Sequence, residues 1–136
     1  MFFNKNNSTK DDLSKVAALL IHAAKIDQNY SNIEEIIIKK TLMEIGASNE
    51  NIREIIDNGK KIEEASNQIL DFTKEVKNME EANKIKIIET LWKIIYSNND
   101  ADIYETNLMR RLTGLLYIDS KLMGNIKERI KKEIIK

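Results

Sequence analysis

Two short polar stretches hold the residues of this chain best suited to chemistry. The first runs Asp27-Gln28-Asn29-Tyr30-Ser31-Asn32-Ile33-Glu34 and the second Asn98-Asn99-Asp100-Ala101-Asp102-Ile103-Tyr104-Glu105. Both read Asp or Asn, any residue, Asp or Asn, any residue, Ser or Asp, two further residues, then Glu. Oxygen donors at alternate loop positions, closed by a carboxylate from the next helix, suit a hard divalent cation, calcium above all. The candidate ligands are Asp27, Asn29 and Glu34, with Asn98, Asp100, Asp102 and Glu105. A structural use competes for the same side chains. Ser31-x-x-Glu34 and Asp102-x-x-Glu105 have capping-box spacing, in which the first side chain accepts from the N3 backbone N–H and the Glu reaches back to the N-cap N–H. The EF-hand is disfavoured. Counting from Asp27 puts Asn32 where that loop needs glycine and Ile38 where it needs glutamate; counting from Asn98 puts Ile103 and Met109 there.

Other chemistry has little to work with. His22 is the one histidine and there is no cysteine. The common zinc ligand sets therefore cannot be built, and disulfides are excluded. Ser-His-Asp catalysis would have to use His22, and neither a nucleophile elbow nor a glycine-rich phosphate loop is present. The expectation is a protein that is not an enzyme. His22 reads as a partly buried structural residue of its helix. The pairs Glu34-Glu35, Glu63-Glu64 and Glu80-Glu81 read first as solvated helix faces.

The elements that would carry the loops are helices. Proline is absent and only four glycines punctuate the chain, too few for a sheet protein of this size. Apolar spacing is helical almost throughout. It predicts helices over about Asp11 to Ile26, Asn32 to Ile45, Ser48 onward, a segment carrying Ile69, Leu70, Phe72 and Val76, then Glu81 to Tyr96, Ile103 to Leu116, and a last helix capped by Asp119 or Ser120. Gly46 stands where a helix C-terminus favours glycine. The fold class is all-α, a bundle of about seven helices. Residues 1–10 read as a flexible N-terminus and residues 11–136 as a single domain.

The halves resemble each other. An ungapped slide of 71 positions sets Leu20 on Leu91, Asp27 on Asn98, Asn29 on Asp100, Ser31 on Asp102, Glu34 on Glu105, Ile37 on Leu108 and Ile45 on Leu116. Lys39-Lys40 falls on Arg110-Arg111. Two helical hairpins related by a pseudo-two-fold axis would produce this pattern.

The balance of 22 basic and 22 acidic residues gives no global pull toward nucleic acid, and no nucleic-acid partner is expected. No apolar run reaches the length of a membrane span, and a cytoplasmic location is expected. Two features point to partners. The segment Lys121 to Lys136 carries six basic residues and the stripe Ile126, Ile130, Ile134, which suits either packing on the bundle or peripheral binding to an anionic membrane or a protein. Phe2-Phe3 is a weaker candidate anchor. The sequence is silent on oligomeric state.

Ala24-Lys25-Ile26-Asp27-Gln28-Asn29 followed by Glu34 resembles the A-x-A-D-G-x then Glu signature of TerB-like, tellurite-resistance proteins. Tyr96-Ser97-Asn98-Asn99-Asp100, then Glu105 and Leu108-Met109-Arg110-Arg111, is similar to the second copy of that signature, and Leu91-Trp92-Lys93 fits an uncharacterised bacterial branch. The resemblance covers about residues 12 to 130. It implies a helical bundle with a pseudo-two-fold, acidic residues between the halves, divalent-metal binding, and a place in stress or tellurite resistance near membrane-associated complexes. Gln28 and Asn99 stand where that signature has its turn glycine, and Asn98 where it has aspartate. A cation held by the second copy would therefore be held more weakly or differently, unless Asp100 and Asp102 compensate.

Overall fold

A computed structural model describes the backbone of residues 2–25, 32–66, 69–97 and 103–134, and most side chains from Lys10 onward. Seven helices are present among these residues: α1 (Phe2–Lys25), α2 (Asn32–Glu44), α3 (Ile52–Ala65), α4 (Leu70–Lys77), α5 (Glu81–Tyr96), α6 (Ile103–Leu115) and α7 (Ser120–Ile134). The all-α expectation holds.

Helix α1 is central. Its residues Val16, Ala17, Ala18, Leu19 and Leu20 are each 0% exposed, because α2, α3, α4 and α5 all pack against it. A helix apolar on every side at this level belongs inside. Burial of each large aliphatic side chain contributes about 1.5–3 kcal/mol, and Leu13, Ile38, Leu42, Ile55, Ile56, Phe72, Ile87, Ile88 and Leu91 complete the centre. The helix begins at Phe2, well before the Asp11 expected from apolar spacing. No glycine or proline interrupts residues 2–10, the two residue types that weaken a helix most. Lys10 is tied to Glu54 of α3 by a 2.7 Å ion pair.

The repeat extends to backbone detail. Helices α1 and α5 end, and α2 and α6 both begin and end, at residues 71 apart. The turns after α2 and α6 share their hydrogen bonds at the same offset. Ile45 N donates to Thr41 O and Ala47 N to Leu42 O; Leu116 N donates to Leu112 O and Ile118 N to Thr113 O. This pairing of a 5→1-type and a wider bond closes a helix whose next residue has positive φ. That residue is Gly46 (φ 136°) in the first turn and Tyr117 (φ 55°) in the second.

The next helix is capped alike in both halves. Ser48 Oγ accepts from Asn51 N at 3.3 Å, and Asp119 Oδ2 accepts from Leu122 N at 3.2 Å. Ser48 adds the reciprocal arm of a capping box, its N–H donating to Asn51 Oδ1 at 2.7 Å. Ser48 thus caps the third helix, whose regular turns start at Ile52, and of the two cap candidates for α7, Asp119 is the one used.

Candidate functional site

The two polar stretches sit between α1 and α2 and between α5 and α6. Asp27 and Asn29, with Asn98, Asp100 and Asp102, lie outside the described residues, as does Ser31. Glu105 lies in α6, its side chain outside the described set. What the structure gives is register. Helix α2 starts at Asn32 and α6 at Ile103, so Glu34 and Glu105 both stand at the third helical position.

Glu34 is 1% exposed, which corrects its reading as half of a solvated pair. Glu35, its neighbour, is only partly buried. The reason is helical geometry: Glu34 shares its face with Ile38, Thr41 and Leu42, all buried in α2. A buried carboxylate is tolerated where cations or hydrogen-bond donors compensate it. Thr41 of that face meets α5, its hydroxyl 2.5 Å from that of Thr90.

A second ionic group lies just before the first stretch. Glu63 of α3 accepts from Lys25 Nζ at 2.7 Å through Oε1 and faces His22 Nδ1 at 3.3 Å through Oε2. Its side chain is 12% exposed, so Glu63 too is no solvated face. Burial pushes its carboxyl up, but the hydrogen bonds from Lys25 and His22 outweigh burial and leave it below its ordinary value. The same bond raises Lys25. His22 also tilts against Phe72, ring centroids 5.9 Å apart. Nothing in the spacing of His22, Lys25 and Glu63 along the chain announced this cluster; it is made by α1 and α3 lying side by side.

A third acidic group joins α1 to α4. Lys15 Nζ meets Glu75 Oε1 at 2.7 Å. Burial, and then Glu75, push the Asp12 carboxyl up. Among the described residues, no group of three or more His, Cys, Asp or Glu side chains is placed to hold a metal ion.

Helix α7 turns its apolar stripe inward: Met123, Ile126 and Ile130 are buried as the helix packs on α5. There Lys127 Nζ lies 5.4 Å from the Trp92 ring centroid, and Trp92 stacks on Tyr96 at 5.8 Å. Exposed Lys121, Lys131 and Lys132 remain on its outer side. No helix among the described residues is long and apolar enough to cross a membrane.

Duplicated helical hairpins, each with an oxygen-rich stretch before its second helix, define the class: a two-fold-repeated helical-bundle module. The family model for tellurite resistance protein TerB matches residues 13–128. The chain belongs to that family. Neither the curated proteins nor the solved structures give a significant match.

Proposed function

We propose that this chain is a non-catalytic TerB-type module of a tellurite-resistance or stress-response system, whose two inter-helix stretches hold a divalent cation. The observation supporting this most is the buried Glu34 carboxylate in the first turn of α2, directly after Asp27 and Asn29 in the chain. The donor set is all oxygen, with no cysteine and no histidine in either stretch, and oxygen donors in that number favour calcium over zinc. Glu34 and Glu105, at matching N3 positions, would supply the helix-borne carboxylates. The bound cation would supply charge that offsets the clustered acids and fixes one hairpin against the other. The alternative is a helical protein-interaction adaptor in which the stretches serve as caps alone; it rests on the capping-box spacing of Ser31-x-x-Glu34 and Asp102-x-x-Glu105.

Thermal melts of chelator-treated protein, with and without calcium, manganese and zinc, separate the two. Binding to the folded state raises the melting temperature by mass action. The cation reading expects a saturable rise with calcium that Asp27→Ala and Glu105→Ala each abolish. The metal-free melts of both variants correct for a lost cap, worth about 1 kcal/mol. Wild-type melts that move with none of the three ions would leave the adaptor.

A further inference from the structure

Of the differences between the turn after α6 and its copy after α2, two shape one groove. Tyr117 stands where the repeat has Gly46, and Gly114 where it has Met43. The glycine is thus missing from the residue whose φ of 55° favours it and present in a helix, where it weakens the backbone. Two locally unfavourable choices this close together point to another use of the place. Here they open a groove of about 340 Å³ lined by Thr73, Lys74, Lys77, Gly114, Leu115 and Tyr117. A side chain added at Gly114 would meet nothing within 4 Å, so the glycine is open floor rather than a packing contact. The Tyr117 ring is 73% exposed and forms the wall. The groove runs between α4 and α6, and α4 has no copy at the repeat offset.

Basic side chains predominate around it. Lys74 and Lys77 of α4 border the groove, and exposed Arg110 and Arg111 stand one turn before its floor on α6. None of the four forms an ion pair among the described residues; Lys77 Nζ instead rests 5.1 Å from the Tyr117 ring centroid. Of the nearby carboxylates, Glu75 is taken by Lys15, Asp119 by its cap, and Asp71 is exposed one turn before Lys74.

We propose that this groove docks an acidic segment of a partner protein, an apolar side chain lying over Gly114 and Leu115 against Tyr117 while flanking carboxylates pair with Lys74 and Lys77. Exposed tyrosines anchor interfaces at low entropy cost, and basic rims select acidic partners and speed their capture. The site is independent of the cation reading, so its test is run in chelator.

The test titrates the isotope-labelled full chain with a peptide of alternating glutamate and leucine, following the backbone amides of Gly114 and Tyr117. The expected result is a saturable shift at those amides that a lysine-leucine peptide fails to give and that salt weakens. The Lys74→Glu, Lys77→Glu double variant should bind at least about tenfold more weakly. Gly114→Met restores the repeat's own residue and fills the floor; it should melt at or above wild type and lose the peptide. No shift at millimolar peptide, equal response to the lysine peptide, or unchanged affinity in Gly114→Met overturns the proposal. So does binding of phosphatidylserine vesicles, or a concentration-dependent dimer, that the double variant loses while the acidic peptide stays unbound.

Discussion

The α1–α3 pair and the α5–α7 pair occupy equivalent places in the two halves, yet they are closed by opposite means. In the first, Gly59 of α3 lies against Ala17 of α1 so closely that a Cβ on Gly59 would fall 2.6 Å from that of Ala17, and 3.1 Å from Ala18 N and Ser14 O. In the second, the residues at those positions are Ile88 and Ile130, 0% and 1% exposed. The helix ends differ too. Glu63 clasps Lys25 and His22 in the first half, whereas the second uses Lys127 over Trp92 and an Arg129–Glu89 pair. A repeated backbone therefore does not need a repeated core. It tolerates either backbone approach over small residues or side-chain filling, provided each pair is closely packed.

Breaking the filled pair should cost most. Ile130→Ala removes a fully buried aliphatic side chain and should lower stability by about 3 kcal/mol, read by denaturant unfolding. Next comes Gly59→Ala. An exposed helical glycine would gain up to about 1 kcal/mol from alanine, but here the added methyl meets Ala17 and backbone, and a net loss of about 1–2 kcal/mol is expected. A gain at Gly59 would dissolve the contrast between the halves. Smaller, and opposite in sign, is Tyr117→Gly. It puts the first half's residue into the second turn, relieves a left-handed conformation worth about 1–2 kcal/mol, and loses the Lys77 contact and side-chain restriction of the unfolded chain. A net rise in melting temperature of a degree or two is expected; a fall would show the two turns are less alike than their hydrogen bonds.

The smallest effect is ionic and confined to the first half. The folded Glu63 carboxyl titrates below its ordinary value of 4.5, so its ionised form is favoured by folding. That stability is fully present above the ordinary value and is lost as pH falls through the lower, folded one. Wild type and Glu63→Gln should therefore differ by a constant amount near neutrality and converge under acid, as melts across that range would show.

The helices were legible because α5 and α6 carry a helical apolar period and meet across a polar stretch, and Gly46 announced its own left-handed turn. Tyr117 did not, since a tyrosine carries no such signal; its only trace was its alignment with Gly46. The close approach at Gly59 was equally hidden, because a helical glycine reads alike whether it faces water or another backbone. Of the candidate site, the place of Glu34 and Glu105 in the first turns of α2 and α6 could be read from the polar stretches before them. The burial of Glu34 and Glu63 could not, because adjacent glutamates have the same local pattern whether one of them turns inward or neither does.

Lys84 is buried at 8% exposure, and its ammonium donates to Leu116 O at the end of α6 at 3.1 Å. It alone among the described lysines is so enclosed. An amine must reach solvent and shed its proton before it can be acylated, and the surface lysines do so freely. Lys84 is expected to react only after its hydrogen bond to Leu116 O has opened. Its rate of chemical labelling is therefore a clock for that opening, wound into the molecule and readable by mass spectrometry without any added probe.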